Sequence, residues 1–342
     1  MGRLSRPRPW ALAAAAGGLG VAVWWLASVV LIATPRAIAA LMAELTRPDA
    51  DSEIYDPCCG TGRLLVEAHR HVHRRSDGAG DPSPRQPGAR PAGPRLYGQE
   101  LNPLPFALAR LNARLRGLDA RFAWGDVMRR PAFLEADGSL KQVDVVVANP
   151  MWNQSFPASV YQEDRHGRFN FGIPPEDDGD WGWIQHMHAA LNDRGRMTIV
   201  LDAEFPPRGS DGTGHPVEGH IKREFVSADQ LEAVLACTWP SDRPRRSLRG
   251  AILSRAIPTG VMLVINRRKR HPGQVLMVES GDLLADYCSG RVGAEDGLGR
   301  VVDAYHGWRE VDGLAAIVSL DELAQRDFDL TPGAYVRDRA AG

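Results

Sequence analysis

The chain has 342 residues, 44% of them hydrophobic and 24% charged, and its 41 Lys and Arg against 42 Asp and Glu leave a formal net charge of -1. That length and apolar content suffice for a full buried core, while the missing cationic excess excludes a chain that grips a run of phosphates unaided. Four cysteines without a C-x-x-C pair imply no disulfide framework and a reducing, cytoplasmic setting.

In chain order, the first feature is Trp10 to Ala33, a charge-free run of 24 residues preceded by Arg3, Arg6 and Arg8. On hydropathy alone it is long enough to span a bilayer. Glu53 to Asp56 then reads as a short strand, followed by the turn Asp56-Pro57-Cys58-Cys59-Gly60-Thr61-Gly62 and a helix over Arg63 to His73. Glycines let backbone pass close to a ligand, and the first turn of the following helix faces it. The turn lacks the Lys-Ser/Thr of a phosphate loop and the G-x-G-x-x-G spacing of dinucleotide sites. A nucleotide-like cofactor without a need for phosphates fits, and S-adenosylmethionine is one. His69, His71 and His73 alternate on this helix, but no acid or cysteine at ligand spacing joins them, so a solvated helix end is preferred to a metal site.

Ser76 to Pro94, dense in Pro, Gly and Arg, reads as a surface insertion. A second strand, Arg95 to Gln99, ends at Glu100, and a third, Arg121 to Trp124, ends at Gly125-Asp126. An acid at the C-terminal end of a strand is placed where open α/β sheets bind ligands. Glu100 can accept both ribose hydroxyls and Asp126 an adenine amino group; the competing reading makes each a turn former or helix cap. The strand Val143 to Ala148 runs into Asn149-Pro150-Met151-Trp152. The Asn149 side-chain oxygen and the Pro150 carbonyl can accept from one exocyclic NH2 group, and Trp152 can stack on the ring that carries it, which suits a base swung out of a helix. Pro206 to Pro216 reads as a loop. The basic clusters are Arg243, Arg245, Arg246 and Arg249, and then Arg267-Arg268-Lys269-Arg270; direct nucleic-acid contact competes there with solvated turns.

Thr34-Pro35-Arg36, Asp56 to Gly62, Tyr97 to Asn102 (YGQELN) and Ala148-Asn149-Pro150 resemble, in that order, the motifs of N6-adenine DNA methyltransferases, particularly the modification subunits of type I restriction-modification systems. Arg168 to Pro175 (RFNFGIPP), Trp183 to Met187 (WIQHM), Gly195 to Leu201 and the tail Ser319 to Val336 are similar to the same family. The resemblance implies an α/β fold, a doubly wound, mostly parallel, Rossmann-like sheet. Seven strands are expected near 53–56, 95–99, 121–124, 143–148, 196–202, 231–237 and 259–265, the last reversed. It further implies S-adenosylmethionine held by Thr34, Pro35, Arg36, Asp56, Gly60, Thr61, Gly62, Arg63, Glu100 and Asp126, with Asn149, Pro150 and Trp152 at the reaction. DNA is the implied substrate and a separate specificity subunit the implied partner.

The expected organisation is a hydrophobic segment over 1–33, a catalytic domain over 34–280 with the insertion 76–94, and a C-terminal extension over 281–342. Three departures from the family pattern stand out. Met151 replaces a second proline and frees a torsion that proline fixes. Only thirty-three residues precede the Thr-Pro-Arg motif, where the family has a helical domain. The Arg-rich stretch 241–257 replaces a compact connection. A membrane helix over 10–33 would press the cofactor rim against lipid, and export would part the enzyme from a cytosolic cofactor, so a membrane role is not favoured. The competing functions are a degenerate, non-catalytic subunit, and methylation of a protein glutamine or an RNA amine.

Overall fold

In a computed structural model of the chain, the structure describes residues 34–78, 93–152, 154–202, 205, 216–237, 260–288 and 295–336. The hydrophobic segment 10–33 and the stretch 241–257 lie outside the described residues, as do most of 76–94 and 206–216. Among the described residues, no helix is long and apolar enough to cross a membrane.

Valine-rich and leucine-rich runs supply the centre of a sheet, because strands covered on both faces need apolar side chains in both directions. The strands are β1 (Glu53–Asp56), β2 (Arg95–Glu100), β3 (Ala120–Trp124), β4 (Val143–Ala148), β5 (Leu191–Asp202), β6 (Leu231–Cys237), β7 (Gly260–Asn266), β8 (Gln274–Glu279) and β9 (Ala315–Ser319). They form one nine-stranded sheet in the order β3-β2-β1-β4-β5-β7-β6-β8-β9. β1 pairs in parallel with β2 and with β4, whereas β7 runs antiparallel between β5 and β6.

The seven expected strands, with the seventh reversed, are therefore present, but the count is corrected to nine. The expected set stops at the reversed strand; here the segment QVLMVE, apolar from Val275 to Val278, adds β8 in parallel to β6, and β9 returns antiparallel along β8.

The helices are α1 (Arg36–Thr46), α2 (Arg63–Gly78), α3 (Pro103–Leu115), α4 (Ala158–Gln162), α5 (Asp180–Ala189), α6 (Pro216–Ser227), α7 (Gly281–Cys288), α8 (Glu295–Gly307) and α9 (Leu320–Gln325). Alternate strand residues feed two core clusters, one on each face of the sheet. Ile54, Val145, Val147 and Val200 join α1, α2, α7 and α8 on one face; Tyr55, Val146, Ala148 and Ile199 join α4, α5 and α6 on the other. Ile38, Leu41, Met42 and Leu45 of α1 are fully buried, together worth roughly 6–12 kcal/mol of apolar burial.

One buried charge fastens the tail to the sheet. Glu232 of β6 accepts from Tyr305 Oη of α8 at 2.6 Å, from Asn266 Nδ2 at 3.1 Å and from Arg270 Nε at 3.3 Å. The described residues from Pro35 onward belong to one compact unit.

Candidate functional site

The strand order reverses between β1 and β4, since β2 and β3 lie to one side of β1 and β5 to the other side of β4. Such a switch point opens a crevice at the carboxyl ends of its two strands. β1 ends there in Asp56 and β4 leads into Asn149. Their register pairs Ile54 with Val145 and Tyr55 with Val146, which sets Asp56 beside Val147, two residues before Asn149.

The glycine turn is held by neighbours on both sides. Cys59 N–H donates to the Gln99 carbonyl at 2.9 Å, and the Gly62 N–H to the Cys59 carbonyl at 2.7 Å. Gly60 and Gly62 have φ of 54° and 79°, a left-handed backbone that side chains disfavour. A Cβ on Gly60 would meet nothing within 4 Å, so the turn faces open space where a ligand can approach. Beneath it, a Cβ on Gly98 would fall 2.8 Å from the Phe122 ring and 2.9 Å from Cys59 Sγ; glycine at 98 lets β2 support the turn closely.

Glu100 is joined to the turn directly. Its Oε2 accepts the Gly60 N–H at 2.8 Å and its Oε1 the Asn102 N–H at 2.7 Å. Asp56 is buried and accepts the Cys58 N–H at 3.1 Å. Burial first, and then the nearby Glu100 charge, push its carboxyl up to about 8. Asp126 accepts from Met128 N–H at 2.9 Å and lies 3.4 Å from Arg129 Nε, organising the turn after β3. Thr61 accepts from Asn112 Nδ2 at 3.0 Å through its carbonyl, and Arg63 opens α2.

The remaining expected residues are spread more widely. Thr34 and Pro35 precede α1, where Pro35 is the N-cap. The exposed Arg36 lies 3.8 Å from Glu67 of α2. Pro150 is buried and Asn149 half-buried. Met151 is exposed, while Trp152 is half-buried against the α1 side of the core, its Nε1 donating to the Val200 carbonyl at 3.2 Å.

A buried polar network under the site escaped the sequence reading. Arg168 Nε donates to Asp164 Oδ1 at 2.7 Å, and its Nη2 and Nη1 reach the Met128 and Val127 carbonyls at 2.8 and 3.4 Å. His186 Nδ1 lies 3.4 Å from Arg168 Nη1, and His186 Nε2 lies 3.3 Å from Tyr55 Oη. Burial, and then the Arg168 charge, hold the imidazole well below its ordinary range, so it is neutral. Arg168 thereby ties the turn begun by Asp126 to the strand that ends in Asp56. The signal lay in an arginine and a histidine set within otherwise apolar stretches, RFNFGIPP and WIQHM.

Two other expectations change. His71 is buried with its Nδ1 3.0 Å from Glu44 Oε1, and His69 and His73 pair through their Nε2 atoms at 3.1 Å; the helix end is packed against α1 rather than solvated. In the basic run, Arg267 donates to the His188 carbonyl at 2.9 Å, Lys269 pairs with Asp229, and Arg270 with Glu232. These cations are internal anchors. The cluster Arg243 to Arg249 lies outside the described residues.

With this geometry in place, the comparisons are specific. The model of the N-6 DNA methylase family matches residues 32–341. The chain belongs to that family. Within the N-6 DNA methylases, it is 26% identical over 320 residues to the type I restriction enzyme HindI methylase subunit of Haemophilus influenzae, covering 89% of this chain and 62% of the relative. It is 27% identical over 319 residues to the MjaVII methylase subunit of Methanocaldococcus jannaschii, covering 89% and 48%. The chain thus spans about half to three-fifths of the length of these relatives. Among solved structures, the type I restriction-modification methyltransferase subunit of Streptococcus thermophilus superposes with a TM-score of 0.69 at 21% identity, covering 89% of this chain and 59% of that one. A modification subunit from Vibrio vulnificus gives 0.58 at 18%, covering 85% and 56%. The α/β methyltransferase fold expected from the sequence is the fold observed.

Proposed function

We propose that this N-6 DNA methylase family member transfers a methyl group from S-adenosylmethionine to the N6 amine of adenine in DNA, as the modification subunit of a restriction-modification system. The observation that carries the reading is the meeting, at one switch point, of the glycine turn after β1 and Asn149-Pro150 after β4. The first suits a cofactor and the second an amine.

The open face over Gly60, the buried Asp56 carboxyl and the Glu100 carboxylate fixed to the turn suit the adenosyl and amino-acid portions of the cofactor. Thr34, Pro35, Arg36, Thr61, Gly62, Arg63 and Asp126 complete the proposed binding set. When bound, the cofactor supplies an electrophilic methyl group on a sulfonium. The Asn149 side-chain oxygen and the Pro150 carbonyl accept the two amine hydrogens of an extruded adenine and so orient its nitrogen lone pair. Trp152 keeps its N–H on the Val200 carbonyl and offers its ring to the base. With the cofactor bound, Asn149 and Pro150 would hold the amine nitrogen toward the methyl group, the cofactor sulfur would leave with its bonding electrons, and the methylated amine would release one proton to solvent.

With a net charge of -1, affinity for DNA comes largely from a partner, a specificity subunit that reads the sequence. The test uses a duplex with one bulged adenine, which presents the base without that partner, together with methyl-labelled cofactor. N6-methyladenine should form with the parent and not with Asn149→Ala, while the variant keeps its cofactor affinity. Equal transfer by Asn149→Ala would refute its role. Transfer to a protein glutamine or to RNA instead would overturn the substrate, and no transfer by a cofactor-binding chain supplied with its specificity subunit would favour a non-catalytic subunit.

A further inference from the structure

α3 is built inside out for a solitary domain. Its buried residues are Pro105, Ala109 and Ala113, so the helix turns small side chains to the sheet. Its leucines point the other way: Leu104, Leu111 and Leu115 are 40%, 51% and 73% exposed, and Leu108 is half-buried. An ordinary surface helix does the reverse. The spacing of Leu104, Leu108, Leu111 and Leu115 is four, three and four residues, the seam by which one helix receives another. Leu101 and Trp124, 57% and 65% exposed, extend the patch, with the Trp124 indole N–H on the Leu101 carbonyl at 2.9 Å. β3, beside it, is the edge strand of the sheet.

Charge selects the occupant. α3 carries Arg110 and Arg114 and no acid, and Arg116 is its C-cap. A second copy of the same helix would set arginine against arginine. A helix with a leucine seam flanked by Glu or Asp meets both the apolar stripe and the charge. We propose that α3, with Leu101 and Trp124, is the docking face for an acidic amphipathic helix of another protein. The face also connects with the site, because the Glu100 carboxylate that accepts the Gly60 N–H accepts the N–H of Asn102, the N-cap of α3. The proposal rests on the surface and holds whether or not the chain methylates adenine.

The probe is a synthetic helical peptide with leucines in heptad register and glutamates on both flanks, titrated by fluorescence anisotropy against the full chain. A lysine-flanked twin serves as control. The acidic peptide should bind saturably and the lysine peptide at least about tenfold more weakly; Leu111→Ser/Leu115→Ser, at exposed positions, should weaken the acidic peptide by about tenfold or more with unchanged circular dichroism. Arg110→Glu/Arg114→Glu should reverse the preference between peptides. Failure of the acidic peptide to bind, equal binding of the twin, or a concentration-dependent dimer that the double serine variant abolishes would each overturn the assignment.

Discussion

Replacing Arg168 with Met tests whether the buried network holds the site together. Asp164 and Arg168 expose only 5% and 2% of their side chains, so Arg168→Met strands a buried carboxylate, which costs about 3–5 kcal/mol. It also removes the donors to the Val127 and Met128 carbonyls, each such loss costing about 1–3 kcal/mol where water cannot enter. Against a total stability of about 5–15 kcal/mol, either sum is a large fraction. Asp164→Leu added to Arg168→Met removes the stranded charge. The double variant should therefore be less destabilised than the two single losses added, with a coupling of about 2–3 kcal/mol. Urea unfolding of parent, both single variants and the double variant measures it. Because Arg168 also fixes the turn begun by Asp126, Arg168→Lys should weaken cofactor binding more than it slows transfer. Additivity within about 0.5 kcal/mol would refute the network as a unit.

Gly98→Ala should destabilise by about 1–3 kcal/mol through overpacking, because its Cβ would lie 2.8 Å from Phe122 and 2.9 Å from Cys59 Sγ; thermal melts with and without cofactor should show both the loss and weaker binding. Asp56 is pushed up to about 8 from an ordinary 3.8 by burial, so the folded chain retains a proton that the unfolded chain has released. Its ionisation therefore erodes stability as pH rises from near 4 to near 8, with little further change above. Asp56→Asn should gain on the parent across that window, and melting curves at pH 5 and pH 8 should show a gap that widens with pH. Glu232→Leu should cost about 2–5 kcal/mol, because the buried Tyr305 hydroxyl and Asn266 amide lose their acceptor, each such loss costing about 1–3 kcal/mol, and limited proteolysis should release the α8 region first.

The elements bearing the site were legible because each carries a local rule that tertiary packing did not override. Glycine gave the turn after β1, continuous valine the buried strand β4, and acids after β2 and β3 the crevice side of the sheet. What was missed depends on distant partners. β8 has only four apolar residues in a row, and its assignment needs β6, distant in the chain (Ala233 pairs with Leu276), as its template. His71 reads as part of a solvated helix end until α1 supplies Glu44. Arg267 to Arg270 read as a solvated run because local charge patterning carries no sign of His188, Asp229 or Glu232 approaching from other elements. For Glu100 and Asp126, the backbone N–H groups each carboxylate accepts support the turn-former reading of a strand-end acid, and their part in cofactor binding belongs to the proposal.

The central claim is a live cofactor site at the turn between β1 and α2, and calorimetric titration of S-adenosylmethionine into the full chain, Asp56→Ala and Asn149→Ala tests it most directly. The account predicts saturable one-to-one binding by the parent, its loss in Asp56→Ala and its retention in Asn149→Ala. A folded parent that takes up no S-adenosylmethionine would contradict it.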